Sequence, residues 1–504
     1  MILFMSLNNE LRDREFSFQD IIINEGYSNF GVSDVDLSAK VTRNLTIKGG
    51  PLIPSPMDTV AGSDLCIAVS DLGLLPTVHY NYSDSPHKRW FEHQASEVMK
   101  IKRARSGFIT NPITLSYSTS IEDADKTIKE YKIGSIAVTK DGNPHGEFLG
   151  ILTRHDYSLH KLPDEEKAID EGVSVGEKMI PWQKLKENGW MISLSDLGEG
   201  KNKLFTAYDK LLRSHRGIMP IVNEDGNLAS MVSRKDVDHR LAYPYATRDT
   251  NGSLLVFAAI GTRNEDKEAA EVLVHAGVDG FMIETSHAYT SYVFDMLDYL
   301  KKTYPDKDVI VGNTTNPKIV EELLKREVDA IKVGIGPGSI CTTSTDGGVG
   351  RSPLSAVKAI REEAERLRAK YYYVPVLGDG GGKSVGDCLK YLSCGADAVM
   401  SGRLFAGTEE AFGEFEYTPE GKKVKKYRGM GSREAMEVRG GNRYYLEDQK
   451  RKFPEGFVDW VEDRGSVYDW IPFFLSGLRA SMQKAGARTI KELYGRAEIL
   501  EYKR

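Results

Sequence analysis

From about residue 250 onward, short apolar runs alternate with longer stretches whose apolar positions recur at helical spacing. The apolar runs are residues 254–260, 280–283, 309–311, 330–333, 374–377 and 398–400. The amphipathic stretches between them are 267–276, 292–304, 318–327, 355–370 and 384–394. Runs this short and continuous read as strands buried on both faces, and helices between them predict a parallel sheet with helical crossovers. Two further runs, 51–53 and 74–78, come earlier. Six and two make eight, and the pattern predicts an α/β fold, a (β/α)8 TIM barrel.

The count is interrupted between the second and third runs. There, Ile136-Ala137-Val138-Thr139-Lys140-Asp141-Gly142-Asn143 leads to Leu149-Gly150-Ile151-Leu152-Thr153-Arg154-His155-Asp156. Later, Met219-Pro220-Ile221-Val222-Asn223-Glu224-Asp225-Gly226-Asn227 leads to Met231-Val232-Ser233-Arg234-Lys235-Asp236. Each copy predicts a strand, an Asp-Gly-Asn turn, a second strand and a helix opened by Thr/Ser-Arg-x-Asp. Residues 107–245 therefore read as an α+β module inserted into the barrel, which is left as 1–106 and 246–504. Residues 413–466 are polar and glycine-rich with scattered aromatics, either disordered or a functional lid. Helical periodicity returns over 468–494.

Composition narrows the class. At 40% hydrophobic and 28% charged, the chain is an ordinary globular one. A formal net charge of -6 gives no basic field for nucleic acid. No apolar run reaches the roughly 18 residues of a membrane helix. Four cysteines without CxxC or zinc spacing predict a reducing, cytoplasmic setting.

The densest chemistry is Gly334-Ile335-Gly336-Pro337-Gly338-Ser339-Ile340-Cys341-Thr342-Thr343, directly after the sixth run. Its glycine spacing and late position are wrong for a dinucleotide fingerprint. It does put a cysteine at the C-terminal end of a barrel strand, where such barrels carry catalytic groups, and a thiolate is a strong nucleophile. Cys66, Cys388 and Cys394 lie in apolar helical contexts and read as packed thiols. Asp379-Gly380-Gly381-Gly382 ends the seventh run and Ser401-Gly402-Arg403 the eighth. Those two loops are the usual phosphate site of such barrels, and Arg403 offers a forked donor. With Ser339 they predict a phosphate-bearing ligand.

Together with Ser55-Pro56-Met57-Asp58-Thr59-Val60, Lys426-Tyr427-Arg428-Gly429-Met430-Gly431-Ser432 and Asn442-Arg443-Tyr444, these segments resemble the inosine-5′-monophosphate (IMP) dehydrogenase and GMP reductase family over nearly the whole chain. The resemblance implies that the insert is a tandem cystathionine-β-synthase-type (CBS, Bateman) module and that 413–466 is a mobile flap. It implies that Cys341 attacks C2 of IMP, that hydride passes to NAD+, and that the flap then replaces nicotinamide while water releases xanthosine monophosphate. Arg443, beside Tyr444, is the implied base, and Thr343 orients the water. The implied substrate contacts are Ser55, Met57, Ser339, Asp379, Gly380, Gly381, Gly402, Arg403, Tyr427, Gly429, Met430, Gly431 and Glu455. Asp379 would hold ribose hydroxyls, with Met430, Gly431 and Glu455 along the hypoxanthine edge. Glu284, Ser286, Asn313, Gly334 and Gly336 are implied for NAD+; the family usually shows Asp where this chain has Glu284. Gly336, Gly338 and Cys341 resemble the carbonyl ligands of a monovalent cation, K+. Asp156 and Asp236 fall where adenine or guanine nucleotide effectors would bind. A homotetramer that stacks to an octamer is implied, with neither nucleic acid nor membrane.

Two alternatives stay open. GMP reductase shares barrel, cysteine and phosphate loops but needs no hydrolytic arginine; the Tyr427–Ser432 segment and Arg443-Tyr444 favour the dehydrogenase. A nucleotide sensor with an inactive barrel is the other, resting on the change at Glu284.

Overall fold

The computed structural model describes residues 15–85, 88–104, 107–131, 133–161, 167–198, 203–445 and 452–502. It divides into two compact units, one formed by residues up to Lys102, Tyr245–Asp249 and Leu254 onward, the other by Arg103–Pro244 and Thr250–Ser253.

The first unit holds all eight apolar runs as strands. They are β1 (Leu52–Pro54), β2 (Thr77–Val78), β3 (Phe257–Ile260), β4 (Gly280–Glu284), β5 (Asp308–Thr314), β6 (Ala330–Val333), β7 (Val376–Asp379) and β8 (Ala398–Ser401). They form one sheet in the order β1-β8-β7-β6-β5-β4-β3-β2, every pair parallel. All residues of β3, β4, β6 and β8 are buried, as a sheet covered on both faces requires. The crossover helices fall where the periodicity places them: Asn264–His275, Ser291–Thr303, Ile319–Lys325, Pro353–Leu367 and Val385–Ser393. Local chemistry starts several of them. Thr290 and Ser384 accept from the third backbone N–H of their helices, and Pro353 takes a first-turn position where its missing N–H costs nothing.

The N-terminal end of the barrel is closed by a device used three times. Asp279, Asp329 and Asp397 each immediately precede an even-numbered strand. Their carboxylates accept the backbone N–H of Val256 (2.8 Å), Val309 (2.7 Å) and Val376 (2.8 Å) at the start of the neighbouring odd strand. Each also meets a cation: Lys102 at 2.9 Å for Asp279, Lys301 at 2.9 Å and Arg43 at 3.0 Å for Asp329, and Arg361 for Asp397. Buried carboxylates need such partners, because an unpaired one would cost several kcal/mol.

The second unit contains the repeat as two four-stranded sheets. One is ordered Ile180–Pro181, Phe148–Thr153, Ser135–Thr139, Thr114–Ser116, and the other Ile192–Ser193, Ile218–Val222, Leu228–Ser233, Phe108–Ile109. Ala137, Phe148 and Ile151 of one copy share a core with Val222, Leu228 and Met231 of the other. The copies differ in one predicted feature. A helix, Arg234–Ala242, opens at Ser233-Arg234-Lys235-Asp236, but none opens at Thr153-Arg154-His155-Asp156. There the Asp170 carboxylate takes the Ser158 N–H at 2.6 Å, and Tyr157 turns to Asp125 at 2.9 Å. That backbone donor is committed elsewhere before a first helical turn can form.

The long polar stretch after β8 is ordered over most of its length. Three antiparallel strands, β9 (Phe415–Tyr417), β10 (Lys423–Arg428) and β11 (Val458–Glu462), form a sheet in sequence order, followed after β10 by short helices Arg433–Val438 and Gly440–Arg443. Residues 446–451 lie outside the described set.

Candidate active site

The C-terminal ends of the barrel strands and the flap surround an open cavity. Its lining includes every predicted catalytic, substrate, cofactor and cation residue of the barrel and flap, and none of these falls elsewhere. Cys341, Thr343, Asp379, Glu284 and Asn313 come from the barrel, while Tyr427, Met430, Arg443, Tyr444 and Glu455 come from the flap.

Cys341 is partly exposed to this cavity, unlike the other three thiols, which are buried. Burial raises the thiols of Cys66 and Cys388 and pushes Cys394 up to about 12, so those three stay protonated and inert. The Cys341 Sγ lies 3.3 Å from the Thr343 hydroxyl, which donates to the Glu455 carboxylate at 2.6 Å. The flap backbone fixes this arrangement: Thr342 N–H donates to the Glu455 carbonyl at 2.9 Å and Phe457 N–H to the Ile340 carbonyl at 3.1 Å. A cysteine, a hydroxyl and a carboxylate from two distant segments thus form one line.

Two glycines show why the loops are built as they are. Gly336 has φ +83°, and a Cβ there would stand 2.5 Å from the Ser344 side chain. At Gly402 a Cβ would meet the Tyr427 hydroxyl at 2.4 Å and Met57 Sδ at 2.8 Å. The loop backbone at Gly402 and the Tyr427 side chain can approach this closely only without a side chain there. Arg403 lines the cavity, but one arm of its guanidinium is held by Asp459 of β11 at 2.9 Å.

On the opposite wall, Glu284 sits between two cations. Its carboxylate meets the Lys332 ammonium and the Arg443 guanidinium. Lys332 also reaches Asn313 and, at 3.2 Å, Asp379; the Asn313 amide donates to Asp379 at 2.7 Å. Lys332 is fully buried, and that burial pulls its ammonium down although Asp379 opposes the shift. This segment is bonded to the barrel: the Arg443 carbonyl accepts from the Ser286 N–H and hydroxyl, each at 3.1 Å. Tyr444 is pushed up by burial and stays a phenol.

Lys332 is the participant that the sequence reading missed. Its signal was present, as the one charged residue inside the apolar run Ala330–Val333 that leads into the cysteine loop. Of the expected cation ligands, Gly336 O accepts the Ser344 hydroxyl at 3.1 Å and Gly338 O accepts the Cys341 N–H at 3.0 Å. Each carbonyl keeps a second lone pair, so the loop can still offer both oxygens.

In the second unit, Asp156 and Asp236 occupy equivalent half-buried positions. Asp156 accepts the Thr153 N–H at 2.6 Å, and Asp236 accepts the Ser233 hydroxyl.

No helix among the described residues is long and apolar enough to cross a membrane. The description "IMP dehydrogenase / GMP reductase domain" matches residues 15–503. The chain is 34% identical to the inosine-5′-monophosphate dehydrogenase of Caenorhabditis elegans, covering 97% of this chain and 92% of that protein. It is 35% identical to that of Aquifex aeolicus, covering 96% and 92%. Among solved structures it is similar to the GMP reductase of Trypanosoma brucei in complex with guanosine 5′-monophosphate, with a TM-score of 0.81 and 28% identity over 98% of this chain and 97% of that one.

Proposed function

The chain belongs to the IMP dehydrogenase / GMP reductase family, and from that premise we propose that it oxidises IMP to xanthosine monophosphate with NAD+. One observation carries the choice between the family's two reactions: Arg443 reaches from the flap into the cavity that Cys341 enters from the barrel. A hydrolytic step needs such a group, and a reductase does not.

Cys341 adds to C2 of the purine. Loops 379–382 and 401–403 with Ser339 hold the phosphate, and Asp379 takes the ribose hydroxyls. Glu455, Met430 and Gly431 lie along the base, where Thr343 joins Glu455 to the thiol. NAD+ supplies the hydride acceptor, and Glu284, Ser286 and Asn313 provide a carboxylate, a hydroxyl and an amide for its ribose. Arg443 holds Glu284 and Ser286 when the flap is docked. Cofactor and flap therefore compete for the same groups, and the redox step must precede flap docking. The docked flap then brings Arg443 and Tyr444 into the cavity that Thr343 lines, for hydrolysis of the Cys341 adduct. Glu284 is counter-charge to Lys332 and Arg443 together, so Lys332 keeps the carboxylate paired when Arg443 swings away. K+ at Gly336, Gly338 and Cys341 would order the loop.

The second unit reads as a CBS module whose Asp156 and Asp236 bind ribose hydroxyls of adenine or guanine nucleotides; the repeat and its shared core support this. A homotetramer, stacking to an octamer with nucleotide, fits the same family reading.

A steady-state assay tests the proposal. IMP and NAD+ should yield NADH, faster with K+ than without it. Consumption of NADPH with GMP, with ammonia release, would assign the reductase, and silence in both assays would favour the sensor.

A further inference from the structure

Four residues before Arg443, the flap carries another arginine, Arg439, whose guanidinium is largely buried against the barrel. Arg439 is 11% exposed. Its guanidinium lies 3.8 Å from the centre of the Trp90 ring. It pairs with Glu265 at 2.8 Å and, more loosely, with fully buried Asp266 at 3.7 Å. Its backbone N–H donates to the Asn81 side-chain carbonyl at 2.8 Å. The Asn81 amide in turn donates to Asp58, whose carboxylate is gripped by Arg428 at 2.6 Å where β10 ends. Asn442 adds a long contact to Glu265 at 3.4 Å. The flap is therefore tied to the barrel at both ends of its two short helices, by groups that touch neither the cysteine nor the phosphate loops.

The quality of the contact matters more than its existence. Arg361, at the other end of the barrel, satisfies its guanidinium through Gly395 O at 2.8 Å, Val374 O at 3.2 Å and Asp397. Arg439 leaves Nε and Nη2 without a hydrogen-bond partner among the described residues. A buried cation held by one good ion pair, one long one and a ring face is bound but not locked. It is also wired to the site. The Trp90 ring meets Tyr80 edge-on at 6.4 Å, and the Tyr80 hydroxyl donates at 3.3 Å to the carbonyl of Glu284, the residue that receives Arg443.

We propose that Arg439 is a positioning residue, a releasable latch that seats in the pocket of Trp90, Glu265, Asp266 and Asn81 to set how much of the flap is docked. It acts on hydrolysis through Arg443 and leaves the redox step alone. This rests on the dehydrogenase reading for its kinetic consequence but not for its structural one, and the experiment separates the two.

The full chain is compared with Arg439→Ala and with Glu265→Gln, the second variant lying outside the flap. Hydrogen exchange of backbone amides 433–445 should quicken about tenfold in Arg439→Ala and by less in Glu265→Gln, the scale of losing a desolvated cation–π and ion-pair contact. With IMP and NAD+, the NADH burst should keep its wild-type rate and size while turnover drops about tenfold. Inhibition by excess NAD+, which competes with the flap, should set in at a correspondingly lower concentration. Arg439→Lys should restore part of each effect. Unchanged exchange in both main variants overturns the latch, as does a burst that slows in step with turnover. If Arg439→Ala does not fold, Glu265→Gln decides alone. If the wild-type chain makes no NADH, the activity reading fails while the exchange result still judges the latch.

Discussion

The two ends of the barrel bury similar charges for opposite purposes. At the N-terminal end, Asp279, Asp329 and Asp397 repeat one arrangement, each joining a backbone N–H of the preceding strand to a cation. At the C-terminal end, Glu284 and Asp379 share Lys332, and Glu284 also holds a cation from a flap. The first set ties one element of the barrel to the next. The second faces a cavity, and on the proposed mechanism one of its partners leaves before cofactor enters. A charge whose partners are all fixed supports stability; one whose partner arrives on a separate segment can report on, and take part in, a reaction.

That contrast can be broken in order of expected effect. The largest belongs to Cys341→Ala. Turnover should fall on the order of 10⁶-fold, the scale of losing a covalent nucleophile, while IMP still binds through Ser339, Asp379 and Gly381. Thermal stability should hardly move, because this thiol is partly exposed. A variant keeping a tenth of wild-type turnover would refute the covalent route; isothermal titration with IMP checks the binding half.

Asp397→Ala should show the reverse pattern. It leaves buried Arg361 with only the longer Glu365 pair at 3.6 Å, at a cost of about 3–5 kcal/mol. Denaturant melts should register that loss, and activity per folded molecule should stay near wild type. Equal loss of kcat in the folded fraction would mean that the two ends are not separable.

A smaller effect concerns pH. Burial holds the His79 imidazole down at about 4, against an ordinary value near 6.5. Between those values the unfolded chain takes up a proton that the folded chain refuses. Stability therefore falls as pH drops through this window, by about 1.4 kcal/mol per unit from this group, with no slope from it above about 6.5. His79→Gln should flatten that acid limb in urea melts taken across the window, and an unchanged limb would remove His79 as its source.

Legibility in the sequence divides along the same line. The eight strands were readable because a doubly covered parallel strand must be a continuous apolar run, and a helix between such runs must be amphipathic. The cavity lining was readable because Gly334–Thr343, Asp379–Gly382 and Tyr427–Ser432 keep dense local motifs that resemble a known family. Three things were not. The flap sheet β9–β11 is built from polar strands such as Lys423–Arg428, which buries even Lys425, so it carries no apolar run. The missing helix after Asp156 depends on Asp170, fourteen residues away, taking a backbone donor. Lys332 stands out as a charge in an apolar run, but its partners, like those of Arg439, lie far along the chain, Glu284 and Trp90 among them. Periodicity reports what an element buries, not which distant charge it meets.

On the proposed mechanism, Cys341 forms from the barrel the adduct that gives up hydride to NAD+, and Arg443 completes its hydrolysis from the flap. Mixing Arg443→Ala with IMP and NAD+ and following NADH through the first turnover tests it most directly. The account predicts a near-normal burst of about one NADH per active site, then turnover slowed by about 10²–10⁴-fold, with the nucleotide adduct on Cys341 visible by intact-protein mass. A burst slowed as much as the steady state, with no adduct, would contradict it and place Arg443 in binding or folding instead.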